Sequence, residues 1–454
     1  MLAQPSQYPA TAMMDSTTSR TGSDICTPTG PDMGRRISAL SEAIQALPAH
    51  LRWAAANEAA IAAQAIGGTS GEGPKGRKVL KLVERAERIN LSIAAARGLS
   101  LARLGALWQR QSRAAGAAEP ATRIFIGIRA LNECFLVGRY EARSGGSAVY
   151  ADQREDACLA HVVRPTAKEL WRAWRDSVEP VLAWAGDGRT PLAKPALLTG
   201  LVRRAHEYAY YLAAFRELHA GGVDGPLGFS TAGIPAHAAV AAGIEAIYYQ
   251  HGFLRRSLVF PDFCEVCALN RPEGEHLSRR LPGARVRIEP PPAARSGAPA
   301  RGEHRRRLAV VGDYVEQDAE PAQQLIASCL ARGIEVVVRP HPADAGGLWR
   351  RWGDVSGVEV DVGGTFAEFL ERQRPAAVAA WYSTALLDAV LAGVPAVTFE
   401  QRNGDIVFPF QDMALGWPRR GEPVMALFES RAARDDAVQA ARDFALGRDQ
   451  GVAA

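Results

Sequence analysis

Short apolar runs alternate with helical stretches along most of the chain. The runs include RIFIGI, IEAIYYQHG and CEVCALN in the first half and RLAVVGDYV, IEVVVRP and AAVAAW in the second half. Parallel strands with both faces buried appear as such continuous runs, because neither side of the strand faces water. The pattern therefore predicts an α/β protein built on doubly wound parallel sheets.

Changes in composition divide the chain into segments. The N-terminus is rich in Ser, Thr, Pro and Gly, and an Ala-rich helical pattern follows it. The segment EPPPAARSGAPARGEHRRR, residues 289–307, is a low-complexity linker between two α/β regions. We expect a disordered tail (1–34), a helical leader (35–117), a first α/β domain (118–300), a second α/β domain (301–425), and a C-terminal helix and tail (426–454).

The leader also carries an apolar stripe with basic side chains around it. Leu101, Leu104 and Trp108 belong to the stripe, and Arg103 and Arg110 flank it. A basic amphipathic helix is able to lie on an anionic membrane surface. An ordinary helix packed on the next domain has the same pattern, so both interpretations stay open.

Charge and cysteine content narrow the class of protein. The 454 residues carry 53 basic and 49 acidic side chains, a net charge of +4 that does not call for a nucleic-acid partner. The six cysteines follow no regular framework, which indicates a reducing compartment. No run of about 18 apolar residues occurs. We expect a cytoplasmic protein whose contact with the inner membrane, if it has one, is peripheral.

Polar motifs follow the predicted strands of the second half. Because ligands bind beyond the carboxyl ends of strands in open parallel sheets, these positions are candidates for a binding site. The candidates are Gly312 after LAVV, Arg339, His341 and Pro342 after EVVV, Ser383 and Thr384 after AAVAAW, and Glu400 after AVTF.

The motif around His341 and the Ser383-Thr384 pair predict a phosphate site when they are taken together. Pro340 and Pro342 fix the backbone on both sides of the imidazole. Ser383 and Thr384 open a predicted helix, where hydroxyls either cap the helix or bind phosphate together with its free N–H groups. Imidazole and hydroxyl groups suit a leaving nucleotide phosphate, for which Arg339 is a second candidate ligand.

The first half contains a similar arrangement. Ser230 and Thr231 open a predicted helix, and a strand ends at Gln250-His251-Gly252. His251 is a candidate general base for an acceptor hydroxyl, since an imidazole is close to half-titrated at neutral pH. A structural histidine is the alternative interpretation, and Asp152, after SAVYA, is a rival candidate for the base.

Three other features are not taken as functional sites. Cys264 and Cys267 have metal-ligand spacing but no second pair nearby, so we expect buried thiols. The Arg305-Arg306-Arg307 cluster is expected to be the solvated end of the linker. The chain has no GxxxxGK[ST] loop and no GxGxxG after a strand, so NTPase and dinucleotide-binding motifs are absent.

The QHG loop, the HP motif and the Ser/Thr motif followed by ALLDAVLAGVPAVTF resemble the two-domain GT-B glycosyltransferases of bacterial surface polysaccharides. The group includes sialyltransferases, polysialyltransferases, capsular Kdo transferases and CDP-glycerol polymerases, which share a cytidine-nucleotide donor. The resemblance implies that His341, Ser383 and Thr384 hold the donor phosphate. His251 matches the base candidate of the CDP-glycerol polymerases. The sialyltransferases use a first-domain aspartate instead, which leaves Asp152 and Asp224 open.

The chain departs from the CDP-glycerol polymerases near both histidines. Tyr248, Tyr249 and Gln250 precede His251, where those polymerases carry a tryptophan before the HG, and Asp344 follows Pro342 where they carry a basic residue. These departures favour sugar transfer over transfer of an alditol phosphate.

The resemblance implies two Rossmann-like domains facing a central cleft and a metal-independent enzyme with no bound cofactor. The expected co-substrate is a nucleotide sugar, preferably sialic acid or Kdo on CMP, and the expected acceptor is a glycan or lipid-linked acceptor of capsule or lipopolysaccharide. Three alternatives remain open: a CDP-alditol phosphotransferase, a UDP-GlcNAc 2-epimerase-like isomerase, and a glycan-binding assembly subunit without activity.

Overall fold

The structure is a computed structural model. It describes residues 93–113, 123–128, 133–153, 159, 163–186, 194–223, 225–256, 258–290, 304–312, 320–341, 350–381, 383–399 and 406–446. The predicted tail, most of the predicted leader and the middle of the linker lie outside these residues. So do three residues considered for the site: Asp224, Pro342 and Glu400.

The first domain is a six-stranded, all-parallel sheet with helices packed against it. The strands are β1 (Ile124–Gly127), β2 (Val149–Asp152), β3 (Leu227–Phe229), β4 (Ala246–Tyr249), β5 (Glu265–Ala268) and β6 (Arg285–Ile288). The helices are α1 (Ile93–Arg113), α2 (Cys134–Ser144), α3 (Ala167–Gly186), α4 (Lys194–Gly221), α5 (Ile234–Ala241) and α6 (Arg271–Arg280). The strand order is β2-β1-β3-β4-β5-β6.

The central strands of this sheet are buried on both faces. Every residue of β1, β3 and β4 is buried, which is why the sequence shows apolar runs there instead of strict alternation. Each predicted strand of the first half is present, with ends that differ by a few residues. The edge strand β6 is mostly exposed and carries Arg285 and Arg287, charges that discourage pairing with another sheet.

Two long helices, α3 and α4, form the connection between β2 and β3, and α1 packs against both of them. A buried polar contact joins the three helices: Trp174 Nε1 donates to the Ser100 hydroxyl at 2.8 Å, and that hydroxyl lies 3.0 Å from His206 Nδ1. Burial lowers the pKa of His206 to about 4, so its ring is neutral at physiological pH. The described end of the leader is therefore docked on the first domain.

The second domain is also a six-stranded parallel sheet. The strands are β7 (Arg305–Val311), β8 (Glu335–Arg339), β9 (Val358–Val360), β10 (Pro375–Ala380), β11 (Ala396–Phe399) and β12 (Leu415–Trp417). The helices are α7 (Glu320–Leu330), α8 (Phe366–Gln373), α9 (Thr384–Leu391), α10 (Phe410–Met413), α11 (Gly421–Glu429) and α12 (Arg431–Leu446), with a 3₁₀ turn at Arg350–Asp354. From β9 to β12 the order is β9-β8-β7-β10-β11-β12, the Rossmann order.

Both domains are therefore doubly wound α/β domains, and the predicted fold class is confirmed in this respect. The prediction that the arginine cluster is solvated is confirmed for Arg305 and Arg306, which are exposed, but all three arginines belong to β7 and not to the linker. The Arg307 side chain is only 11% exposed because it pairs with Glu335 and Glu359. Glu335 on β8 and Glu359 on β9 neutralise the charge of Arg307 within the sheet. The linker therefore ends before residue 305.

The C-terminal helix α12 packs on the second domain and touches the first. Arg442 donates to the carbonyl oxygens of Val390 and Leu391 at 2.9 Å and 2.6 Å, which satisfies the last turn of α9. The same helix contacts α6 of the first domain. It therefore contributes to the packing that joins the two domains.

Candidate active site

Each sheet has one place where the strand order reverses, so that the connections from two neighbouring strands lead to opposite sides of the sheet. It lies between β1 and β3 in the first sheet and between β7 and β10 in the second. At such a switch point the loops diverge and leave a crevice at the carboxyl edge of the sheet, which is where doubly wound proteins bind ligands. The fold thus offers one ligand crevice in each domain.

His251 lies at the carboxyl edge of the first sheet, two residues after β4. Its Nδ1 is 2.8 Å from the carbonyl oxygen of Ser230, the residue that follows β3. Because a carbonyl only accepts, Nδ1 carries the proton in this contact, and in the neutral ring Nε2 then has the free lone pair. In this half-buried imidazole, Nε2 is therefore the atom that is able to accept a proton.

A buried carboxylate that the sequence analysis did not identify lies in the β1/β3 crevice. Glu133, just before α2, is 1% exposed and accepts hydrogen bonds from the Ser230 hydroxyl at 2.8 Å and the Tyr150 hydroxyl at 2.7 Å. Gly127 at the end of β1 leaves room for it, since a Cβ there would collide with this carboxylate. Ser230 therefore contacts Glu133 through its side chain and His251 through its carbonyl.

Asp152, the rival candidate for the base, ends β2 and is 6% exposed. Strands β1 and β3 separate β2 from β4. Three strand spacings amount to roughly 14 Å, so the fold does not bring Asp152 next to His251. The neighbour of Asp152, Gln153, accepts a hydrogen bond from the Thr231 hydroxyl at 3.1 Å. Asp152 and His251 remain alternative candidates at different places on the same edge.

Gly312 is at the centre of the second crevice. It follows β7, and its N–H donates to the Arg339 carbonyl oxygen at 2.9 Å, while β10 pairs with the opposite side of β7. One strand spacing of about 5 Å thus separates Gly312 from the Arg339–His341 turn on one side and from the approach to Ser383 on the other. The structure brings these three predicted motifs to one crevice.

The Arg339 guanidinium is engaged with the protein itself. It donates to the carbonyl oxygens of Gly363 and Gly364 at 2.9 Å and 2.5 Å and lies 5.0 Å from the centre of the Phe369 ring. Burial lowers the pKa of Arg339 from its usual value. These contacts hold the loop before α8. A phosphate contact by Arg339, or by the half-buried His341, stays a prediction.

Ser383 is the N-cap of α9. Its Oγ accepts a hydrogen bond from the Ala385 N–H at 3.2 Å, so the hydroxyl hydrogen is still able to donate to a ligand. Thr384 is the first helical residue and is half-buried. One turn later, desolvation raises the pKa of Asp388 to about 7, so its average negative charge at neutral pH is reduced. A phosphate role for the two hydroxyls stays a prediction.

The carboxyl edges of the two sheets meet at an aromatic contact. Phe253, which lies beyond β4, stacks on Phe408 at 4.9 Å between ring centres and stands edge-on to Phe410 at 4.5 Å. The Leu254 carbonyl accepts a hydrogen bond from the Val407 N–H at 2.9 Å. Since the segment at 406–408 lies beyond β11, the loop that carries His251 is packed against the carboxyl edge of the second sheet.

A surface depression of about 520 Å³ lies along the edge strand β9. Its arginines are balanced by carboxylates: Arg307 pairs with Glu359 at 2.9 Å, and Arg372 pairs with Asp361 at 2.6 Å. The depression is not at a switch point, and we assign it no ligand.

The two spaced cysteines lie in and next to β5. Cys267 is buried, and burial raises the pKa of its thiol to about 12. The Cys264 thiol donates to the Ala246 carbonyl oxygen at 3.2 Å. Within the part of the chain that the structure describes, no group of three His, Cys, Asp or Glu side chains is placed to hold a metal ion.

No family model matches the chain, and no curated protein matches it. Solved structures with a similar fold include the glycosyltransferase SnogD from Streptomyces nogalater (16% identity, 71% of this chain and 94% of that chain, TM-score 0.40). They also include the wall teichoic acid polymerase TagF (9%, 82% and 94%, 0.43) and the UDP-GlcNAc 2-epimerase of Methanocaldococcus jannaschii (9%, 70% and 98%, 0.39). The fold assignment rests on the strand pairing of the chain itself.

Proposed function

We propose that the protein is a glycosyltransferase of the GT-B architecture that transfers a sugar from a nucleotide donor to a bacterial surface glycan. One observation carries the proposal: the loop that bears the oriented imidazole of His251 packs against the carboxyl edge of the second sheet, where Gly312 and Ser383 border a crevice. Two doubly wound domains that meet at their carboxyl edges suit a reaction between two bound substrates.

In the proposed reaction, Nε2 of His251 takes the proton of the acceptor hydroxyl as its oxygen attacks the anomeric carbon of the donor sugar. The bond from that carbon to the nucleotide phosphate breaks, and the phosphate leaves with the bonding electron pair. The N-terminus of α9, the hydroxyls of Ser383 and Thr384, and the imidazole of His341 are the groups proposed to stabilise its charge. This route needs no metal ion, because dipoles and side chains supply the stabilisation.

The preferred donor is a CMP-activated sialic acid or Kdo, and the preferred acceptor is a glycan or lipid-linked acceptor of capsule or lipopolysaccharide. The support is the resemblance of the QHG, HP and Ser/Thr motifs. A CDP-alditol phosphotransferase is the nearest alternative, in which the acceptor oxygen would attack phosphorus. A 2-epimerase-like isomerase is disfavoured because Ser383-Thr384-Ala385 stands where a Ser-Gly-Gly turn is expected.

We also propose a cytoplasmic location with a peripheral contact at the inner membrane. Trp108 on α1 is 39% exposed and Trp171 on α3 is 50% exposed, and exposed basic residues accompany them, including Arg103, Lys168 and Arg172. The helices pack together through the Trp174–Ser100 hydrogen bond. Exposed tryptophan with basic neighbours suits an anionic lipid surface. No described helix is long and apolar enough to cross a bilayer.

The proposal is tested by thermal shift with CMP, CDP, UDP and GDP, followed by transfer assays with the sugars of the nucleotide that binds. We expect stabilisation by CMP that is lost in His341→Ala. His219→Ala, an exposed histidine in the last turn of α4, is the control and should bind normally. Stabilisation by UDP alone would contradict the proposal of a CMP-activated donor. If no nucleotide stabilised the protein, the transferase proposal itself would be wrong.

A further inference from the structure

The Glu273 side chain is completely buried in the first turn of α6. It accepts hydrogen bonds from three N–H donors: the Leu254 backbone and the Asn270 side chain, each at 2.5 Å, and the Gln250 side chain. A buried carboxylate is costly unless its oxygens are satisfied. All three partners are donors, so they favour the ionised carboxylate and oppose the rise in its pKa that burial causes.

Two of the three donors bracket His251. Gln250 directly precedes the histidine, and Leu254 follows it by three residues. The Gln250 amide makes further contacts, since its oxygen accepts from the Leu269 N–H at 3.0 Å and its nitrogen donates to the Gly252 carbonyl at 2.8 Å. One carboxylate therefore fixes both ends of the loop from which the candidate base projects.

The third donor connects this loop to the helix. Asn270 is the N-cap of α6: its Oδ1 accepts from the Glu273 N–H at 3.0 Å while its Nδ2 donates to the Glu273 carboxylate. A cap alone would not require a fully buried carboxylate, because N-cap pairs form equally well at exposed helix ends. Here the carboxylate is turned inward, toward Gln250 and Leu254.

The bracketed loop is also the part of the first domain that holds the second. Phe253 lies between the two anchored residues and packs on Phe408 and Phe410, and the Leu254 carbonyl accepts from the Val407 N–H. Leu254 thus uses its N–H on Glu273 and its C=O on the other domain. Leu254 therefore helps to fix the position of His251 relative to the second crevice.

We propose that Glu273 is a positioning residue, which sets the direction of the His251 imidazole and its distance from the donor crevice by holding Gln250 and Leu254. The inference rests on the proposed transferase function and adds a second requirement to it. Glu273 does not touch substrate, so its loss should lower turnover and leave nucleotide binding intact. A one-ångström displacement of a catalytic group is able to reduce a rate by about 100-fold.

The test compares Glu273→Gln with Glu275→Gln. The first places an NH₂ group against donors in the buried cluster, and the second is the same change at an exposed site of the same helix, where Glu275 pairs with Arg271. With CMP-sialic acid or CMP-Kdo as the donor, we expect kcat to fall at least tenfold in Glu273→Gln, with KM for the donor within twofold of the unaltered protein. Glu275→Gln should match the unaltered protein in both.

Hydrogen exchange supplies a readout that needs no turnover. The Leu254 amide, which donates to Glu273, should exchange faster in Glu273→Gln, while the Val310 and Val378 amides in the second sheet keep their protection. Should Glu273→Gln fail to fold, Asn270→Ser replaces it: serine retains a cap but removes the Nδ2 donor, and a smaller fall in kcat is expected.

An unchanged kcat in Glu273→Gln, or a donor KM that rises as much as kcat falls, overturns the inference. If the unaltered protein transfers no sugar from any nucleotide donor, the proposed function fails instead, and the exchange rates then decide the structural part. Faster exchange at Leu254 alone supports the anchoring of the loop by Glu273, and unchanged exchange there overturns it.

Discussion

The ring of Phe253 stands edge-on to that of Phe410, at 73° and 4.5 Å between centres, and this contact joins the two domains next to the candidate base. Phe410 is 3% exposed and belongs to the core of the second domain. Removal of a buried phenylalanine costs about 3–5 kcal/mol through lost burial and a residual cavity. The pair therefore contributes both to stability and to the placement of the His251 loop.

Phe410→Ala should lower the free energy of unfolding by about 3–5 kcal/mol, measured by urea titration. Phe410→Leu keeps most of the apolar volume and should lose less, and it serves as the control. If both domains unfold together in the unaltered protein, Phe410→Ala should separate the transition into two steps. Equal stability of the alanine and leucine variants would contradict a packing role for the ring.

His251→Ala should abolish sugar transfer while the nucleotide still stabilises the protein, because the proposed donor site lies on the second domain. Transfer is measured by product formation and binding by thermal shift. Asp152→Asn is the comparison, since it removes the rival base three strands away. An active His251→Ala variant with an inactive Asp152→Asn variant would move the base to Asp152.

Gly127→Ala should destabilise the protein, since the added Cβ would collide with the Glu133 carboxylate and lie 2.9 Å from the Tyr150 hydroxyl. Gly138→Ala in α2 is the matched control. That glycine is exposed, has open space at its Cβ position and should gain up to about 1 kcal/mol from helix propensity. Thermal melts of the two variants measure the difference, and equal melting temperatures would show that the crevice accommodates a methyl group.

The pH dependence of stability should report Glu273. Burial raises the pKa of Glu273 from an ordinary 4.5 to about 7, against the opposing effect of its hydrogen bonds. Between these values the folded protein holds a proton that the unfolded chain has released, so stability falls as the pH rises from about 4.5 to about 7 and then levels off.

Glu273→Gln should flatten this slope, whereas Glu275→Gln should keep it. Asp388, whose pKa is also raised to about 7, contributes a slope in the same direction, so the difference between variants isolates Glu273. Urea titrations at several pH values measure it. A slope that is identical in the two glutamine variants would show that Glu273 titrates normally.

Binding to anionic vesicles tests the proposed membrane contact. Vesicles of phosphatidylethanolamine with phosphatidylglycerol should bind the protein, and vesicles of phosphatidylcholine should bind it weakly. The double variant Trp108→Ser, Trp171→Ser should lose most of this binding. Val362→Ser, at a residue that is 65% exposed on the second domain, is the control. Equal sedimentation of all variants with the anionic vesicles would exclude Trp108 and Trp171 as the membrane contact.

The strands were predictable because burial on both faces leaves a continuous apolar run. IEVVVRP became β8, and similar apolar runs placed His251, Gly312 and Ser383 beyond the ends of β4, β7 and β10. Strand order was not predictable, since pairing depends on contacts between residues that are distant in the sequence. For the same reason the large separation of Asp152 from His251 appears only in the folded sheet.

Two of the buried carboxylates, Glu133 and Glu273, were less predictable from the sequence than the strands. Glu273 had a local signal, the Asn270-x-x-Glu273 capping pattern, but the pattern says nothing about burial or about Gln250. Glu133 had no signal: its partners Tyr150 and Ser230 arrive from other strands, and Gly127 makes room for it only after β1 and β3 pair. Such residues are defined by tertiary structure.

The contact between Leu254 and Val407 has a consequence for protein engineering. A chimera that exchanges the first domain at the linker would separate residues 250–254 from the segment at 406–410 that packs against them. The imidazole that corresponds to His251 would then be misplaced in the chimera. The protein that supplies the new first domain should therefore also supply the segment corresponding to 406–410, so the unit to be exchanged is discontinuous in the chain.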